Sequence, residues 1–341
     1  MLKTCGILLI TGNYFSEKQL HKLKRDLKSS RRHAYAESTN KNLKIQWETY
    51  LLFCIYFGVS YLPVSTETLS LYAQFLSRSF KATQSIRNYI SGVKTMHYLL
   101  GYSVDNINNF ILNLSLKGIA KLHPHLVKQA QPITPDILRK IHNLLNMRVK
   151  TDIVFWCLFL FAFFLFARKS NLVPDSMMDV KNNKILLRKD VELKKQVLIV
   201  TMRWSKTNQF GQRVLKNPLI AIPGSVLCPV RAYTRMLDEV TAKESDPLFA
   251  LPDGTCIIYN QFQNKLKTLI EKIGLDPDEF STHSFRRGGT TFGFKSKVPI
   301  SLIKAHGDWK SECYQKYLSF SLEDKLLVAE YMKQNILSGT E

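Results

Sequence analysis

Between Asp152 and Arg168 the chain runs fifteen residues without a charge, IVFWCLFLFAFFLFA over residues 153–167. A surface helix carries its apolar residues on one stripe; a helix apolar all round must be covered all round. About 20 apolar residues are needed to cross a bilayer, so this run is too short to span one. It predicts a core helix around which the rest of a domain is wrapped. At 341 residues the chain can supply that cover and still build a second domain. An apolar content of 45% is that of an ordinary globular protein and argues against global disorder.

Lys and Arg number 48 against 27 Asp and Glu, a formal net charge of +21. Folding does not require that excess. It points to a polyanionic partner, and with no membrane-spanning run the choice falls on nucleic acid. GILLI at residues 6–10 is too short for the apolar region of a signal peptide, and no small-residue cleavage site follows it. Cysteines at positions 5, 54, 157, 228, 256 and 313 show no paired metal spacing. They read as reduced, partly buried thiols of an intracellular protein.

In chain order, residues 1–40 form a basic N-terminal segment. Its run HKLKRDLKSSRRH (21–33) suits DNA backbone contact, nuclear import or a solvated tail. Residues 41–121 read as a small all-helical domain. Pro63 breaks the chain, Ser65 or Thr66 caps the next helix, and Gly101 ends a third. That third helix sets Arg87 and Lys94 among its apolar positions. Residues 122–134 are a polar, Pro-punctuated linker, ending where Thr134 and Pro135 read as N-cap and first helical residue. Further on, the apolar stretches 185–187, 197–200 and 214–222 predict a small antiparallel sheet. Residues 228–239 and 261–273 are helical, and 322–336 form a last amphipathic helix. The fold class expected is mainly α with a small antiparallel β-sheet: a helical domain followed by an α+β domain over 135–341.

Residues 281–318, STHSFRRGGTTFGFKSKVPISLIKAHGDWKSECYQKYL, gather the chemistry. His283 and Arg286 are three apart and share one helix face. They can address one phosphate together. Tyr314 and Tyr317 follow, and a tyrosine can supply a phenolate nucleophile. Cations on non-bridging oxygens, a proton shuttle and a nucleophile are what phosphoryl transfer through a covalent phosphotyrosine needs.

HSFRRGG, then GDW, then YxxYL resembles the tyrosine recombinase (phage-integrase-type) family. The pattern is most similar to the eukaryotic Crypton and DIRS-type mobile-element recombinases. The resemblance implies that residues 41–121 are a core-binding (SAM-like) DNA-binding domain and 135–341 the catalytic domain. It implies a first catalytic arginine at Arg168, in Arg-x-Ser-x-Leu at the end of the apolar helix, and a catalytic lysine at Lys206, in a β-hairpin turn. His283 and Arg286 match the family's His-x-x-Arg motif. The nucleophile lies about ten residues after the glycine of a Gly-His or Gly-Trp turn. That selects Tyr317, ten beyond Gly307 (317 − 307), and leaves Tyr314 as a packing aromatic. Here the residue after the glycine is Asp308, with Trp309 next. Which of the two lines the site stays open, with His306 a third possibility. Trp309 is the expected site residue, and Arg203 and Arg287 join Arg87 and Lys94 as candidate DNA contacts.

The implied reaction calls for no cofactor and no metal, because arginines supply the electrostatic stabilisation. The implied partner is double-stranded DNA, bound by a homotetramer in the nucleus, and the implied task is mobile-element integration or excision. A catalytically silent DNA-binding protein on the same fold is the alternative, and a type I topoisomerase shares the chemistry.

Overall fold

The computed structural model describes residues 17–104, 107, 109–125, 128–182, 185–205, 208 and 213–338. The chain falls into two compact units on either side of the boundary between residues 127 and 128.

The first unit is all helical: α1 (Glu17–His33), α2 (Glu37–Phe57), α3 (Thr66–Ser77), α4 (Thr83–Leu100) and α5 (Phe110–Leu122). α2 packs on α4, and α3 on α4 and α5. Tyr50, Phe53, Leu69, Tyr72, Ile86 and Leu116 are among the residues of their shared core. Local signals set the ends. α2 stops at Gly58, whose left-handed φ of 62° costs glycine nothing. Ser65 caps α3 by accepting the Thr68 N–H. His97 is fully buried and satisfied; Nε2 accepts from Val64 N–H at 3.1 Å, and Nδ1 donates to Val93 O at 2.9 Å. The basic run of the N-terminal segment is the helix α1, which adds no residue to that core.

The second unit holds α6 (Pro135–Leu144), α7 (Lys150–Phe164), the single turn α8 (Lys169–Leu172), β1 (Val191–Lys194), β2 (Val197–Met202), β3 (Leu215–Ile220), α9 (Pro229–Glu239), α10 (Tyr259–Lys272), α11 (His283–Lys295), α12 (Ile300–His306) and α13 (Leu322–Ser338). Thr134 caps α6, with Pro135 in its first turn, as the sequence predicts. α7 is the apolar run, and every residue from Ile153 to Phe163 is buried. α9 and α11 cover it. Phe159 stacks on Phe285 of α11 at 5.2 Å and on Phe262 of α10 at 5.8 Å between ring centroids. The expected class, mainly helical with a small antiparallel sheet, is the class observed.

The sheet runs β1-β2-β3, both pairs antiparallel, with Val191 opposite Val200 and Val197 opposite Ile220. Leu198, Val200 and Met202 alternate into the core. One strand differs from the expectation. Residues 185–187 are not the first strand; all three are buried, and they lead into a short 3₁₀ turn, Arg188–Asp190. Their backbone bonds to the 246–248 segment instead, Leu248 N to Leu186 O and Arg188 N to Asp246 O. A run buried on every side carries no period-two signature, so its composition alone could not assign it.

The doubled glycine of HSFRRGG is a packing device. A Cβ on Gly288 would strike the Ile133 carbonyl, and one on Gly289 the Phe163 carbonyl. Only bare backbone lets α11 approach α7 this closely. That approach carries His283 and Arg286 to the end of α7.

Candidate functional site

α7 ends at a sharp turn. Phe166 takes a left-handed φ of 47°, a conformation a bulky residue rarely adopts. Its carbonyl is thereby turned toward Arg286, whose Nη1 donates to it. Two residues on, Arg168 emerges half-buried as the cap of α8. Lys169 points elsewhere, pairing with Asp175 at 2.7 Å and lying 3.3 Å over the Tyr259 ring. Asn171 of the same turn donates to Trp204 O at 2.8 Å, tying α8 to the end of β2.

Arg286 is the centre of the arrangement and is only 2% exposed. Besides Phe166 O, it donates from Nη2 to Gly307 O at 2.8 Å. Its guanidinium lies 3.9 Å over the Trp309 ring and 4.9 Å over the Tyr317 ring. Burial, and next Arg168, pull its pKa down to about 9, opposed by Tyr317 and Asp308. At neutral pH it remains a cation, buried and facing a second arginine. A phosphate bound between the two arginines would add an anion to the nearby carboxylate of Asp308. Two of five guanidinium N–H groups are engaged by the two carbonyls; Nε is buried and has no partner among the described residues.

In the 307–309 turn Asp308 and Trp309 face different ways. Gly307 carries no Cβ because the Trp309 ring folds back onto that position. Asp308 has a left-handed φ of 57°, which Asp tolerates better than most residues. Trp309 turns toward Arg286 and Tyr317, 5.3 Å from the tyrosine ring. Asp308 turns the other way. Its buried carboxylate accepts from Ser205 Oγ at 2.5 Å and pairs with Arg213. His306 is not available either; it is mostly buried, and its Nε2 donates to Phe164 O at 2.8 Å.

Tyr314 and Tyr317 lie in one 3₁₀ turn, Glu312–Tyr317, and meet different surroundings. Tyr314 is buried beside Ile303 and Trp309. Tyr317 is half-exposed and stacks with His283 at 6.5 Å between ring centroids. α11 holds its backbone. Thr291 Oγ1 donates to Tyr317 O and accepts from Ser319 N–H, each at 3.1 Å. Arg287 donates to Lys316 O at 3.4 Å and Leu318 O at 3.3 Å. His283, Arg287 and Thr291 are spaced four apart, one stripe of a helix. The sequence reading placed Arg287 among DNA contacts; its guanidinium faces the tyrosine segment. Thr291 was missed, although its helical spacing from His283 was a usable signal.

Lys206 lies outside the described residues. The ends of its connection, between β2 and β3, are described. Asn208 Nδ2 donates to Arg203 O at 3.0 Å and Arg213 O at 2.6 Å, closing a neck. Arg203 is more than half exposed but pairs with buried Asp190, so part of its charge is already answered. In the first unit, Arg87 and Lys94 lie two turns apart on α4 and line one depression with Ser91 and Asn113. Arg87 is exposed and Lys94 half-buried.

No family model matches the sequence. The chain is 24% identical over 301 residues to an integrase/recombinase XerD homologue of Selenomonas ruminantium, spanning 85% of this chain and 82% of that one. Its fold resembles the Tn1549 transposon integrase, solved in complex with transposon right end DNA. The TM-score is 0.61 at 14% identity, over 90% of this chain and 98% of the other. It also resembles a lambda integrase dimer bound to a COC' core site, with a TM-score of 0.57 at 13% identity, over 87% and 94%. A third likeness is to the XerH site-specific recombinase bound to a palindromic difH substrate, 0.52 at 13% identity, over 79% and 70%. The sequence likeness supports the tyrosine recombinase and integrase family, and the fold is the one these recombinases and integrases share.

Proposed function

We propose that this chain, which has the fold of the tyrosine recombinases and integrases, is a site-specific DNA recombinase that cuts and rejoins strands through a 3′-phosphotyrosine. One observation carries the reading. A half-exposed Tyr317 is held between His283 and the buried cation Arg286, on a segment that α11 straps in place. Arg168 and Arg286 bind the non-bridging oxygens of the scissile phosphate, where charge grows in the transition state. Tyr317 Oη attacks phosphorus and its proton passes to His283. The bond from phosphorus to the 5′ oxygen breaks, that oxygen keeps the electron pair, and Lys206 protonates it. The phosphotyrosine conserves the bond energy, so a second DNA end can be joined by the reverse step. Trp309 shields the arginine from water on one side.

The reading extends to a homotetramer on double-stranded DNA, because exchange of two duplexes needs several active sites. α13 supports assembly: Leu326, Val328, Tyr331, Met332 and Ile336 along it are all exposed. The HSFRRGG, GDW and YxxYL pattern supports a Crypton- or DIRS-like mobile-element role, and with it a nuclear location. On the same reading residues 41–121 are the core-binding domain, joined by 122–134 to the catalytic domain.

The test is a nicked duplex whose cleaved fragment diffuses away, trapping any covalent complex. Adduct that survives denaturation is the expected result with cognate DNA. Specific DNA binding without adduct would instead establish a silent binding protein.

A further inference from the structure

His306 ends α12 and does not line the site, yet it is tied to both segments that hold Arg286. Its Nε2 donates to Phe164 O at 2.8 Å. Phe164 is the last residue of α7, and a carbonyl in a last helical turn has no intrahelical N–H to accept from. The His306 ring also meets the Phe166 ring edge-on, 4.8 Å between centroids. Gly289 and Gly293 of α11 give that phenylalanine its space; a Cβ on either would come within 3.1 Å of its ring. The carbonyl of His306 accepts from Nδ2 of the buried Asn217 on β3, at 2.9 Å. Burial pulls the His306 pKa below the usual imidazole value, with Arg286 adding to this and the bond to Phe164 O opposing it. The ring is therefore uncharged at neutral pH, with its proton on Nε2. Arg286 spans the same two segments one step further on, Nη1 on Phe166 O and Nη2 on Gly307 O. The histidine and the arginine are two rungs between the end of α7 and the end of α12.

We propose that His306 is a positioning residue for Arg286: held by Asn217, it ties the end of α7 to the end of α12 and so fixes the separation of the Phe166 and Gly307 carbonyls that aim the guanidinium at phosphate. A guanidinium is a planar, rigid fork, so its free N–H groups point only as well as its bound ones are fixed. Two carbonyls that drift apart cannot both be met by that fork in good geometry. Phe166 adds to the need. Its left-handed φ of 47° is unfavourable for a bulky residue and persists only where its surroundings hold it, and the His306 ring is part of what packs on it. The inference rests on reading Arg286 as a phosphate-binding cation.

The experiment follows single-turnover adduct formation on the nicked duplex, with DNA Kd and thermal melting measured alongside. His306→Phe keeps an aromatic ring against Phe166 and removes the donor. His306→Gln keeps an N–H donor at about the reach of Nε2. Asn217→Leu removes only the tie to the His306 carbonyl. His306→Phe should slow adduct formation roughly 10- to 10²-fold, the loss that a displacement of up to about 1 Å brings. DNA Kd should stay unchanged, because no charge is lost. His306→Gln should recover most of the rate. Asn217→Leu should show a smaller loss in the same direction, and it carries the test if His306→Phe melts below the assay temperature. Thr291→Val is the control for the route, because it loosens the tyrosine segment and leaves the two carbonyls of the arginine alone. Combined with His306→Phe, the two losses should multiply, as those of independent sites do. Wild-type rates for His306→Phe and Asn217→Leu overturn the proposal. So does a glutamine variant as slow as the phenylalanine, or a double variant no slower than the slower of its two single variants. Absence of wild-type adduct is a different result: it overturns the recombinase reading itself.

Discussion

Valine in place of Thr291 keeps the shape of the side chain and removes one oxygen. That oxygen donates to Tyr317 O and accepts from Ser319 N–H, both at 3.1 Å, and the residue is 8% exposed. Each bond contributes a net ~0.5–1.5 kcal/mol, so Thr291→Val should weaken docking of the tyrosine segment by about 1–3 kcal/mol. At about 2 kcal/mol the docking equilibrium falls roughly thirty-fold. Arg287 still holds Lys316 O and Leu318 O through longer bonds, so the segment loosens and does not detach. Single-turnover adduct formation should therefore slow by roughly 3- to 30-fold, the upper figure applying if docking limits the reaction. DNA Kd should stay unchanged, because Thr291 carries no charge. Thr291→Ser retains the oxygen and should recover most of the rate. A wild-type rate for Thr291→Val, or a serine variant as slow as the valine, would refute the strap.

The two arginines should separate in their effects. Arg168→Ala should lose adduct with little change in stability, as seen by thermal melting. Arg286→Ala should lose adduct and also cost about 2–5 kcal/mol, because it strands the part-buried Phe166 and buried Gly307 carbonyls. Gly289→Ala should destabilise the second unit by about 1–3 kcal/mol or more in denaturant unfolding, since its Cβ meets the Phe163 carbonyl. Duplex binding should fall steeply with salt, as phosphate contacts demand; a flat salt series would exclude a backbone-dominated interface.

Much of the fold was legible because burial leaves a mark on composition. The charge-free run over 153–167 could only be α7, and Thr134-Pro135 could only open a helix. His283 and Arg286 fall in the first turn of α11, as their spacing predicts. What failed was the reading of partners. The stretch 185–187 looked like a strand, but its backbone pairs with the 246–248 loop, which no local pattern announces. Which of Asp308 and Trp309 lines the site stayed open because Ser205 and Arg213, which hold the Asp308 carboxylate, lie about a hundred residues away in sequence. Arg287 looked like a surface cation for the same reason, since the carbonyls it holds become neighbours only when the tyrosine segment folds onto α11. Periodicity reports which face a side chain is on, and says nothing of what covers that face.

The central claim is that Tyr317 is the nucleophile, and the direct measurement is to map the covalent adduct by peptide mass spectrometry. Tyr317→Phe keeps the ring that packs on Trp309 and His283 and removes only the attacking oxygen. Tyr314→Phe keeps a buried ring in the neighbouring cluster. The account predicts a phosphotyrosyl bond on Tyr317 in the wild type and in Tyr314→Phe, and none in Tyr317→Phe, with DNA binding retained in all three. A phosphotyrosyl bond on Tyr314, or adduct persisting in Tyr317→Phe, would contradict it.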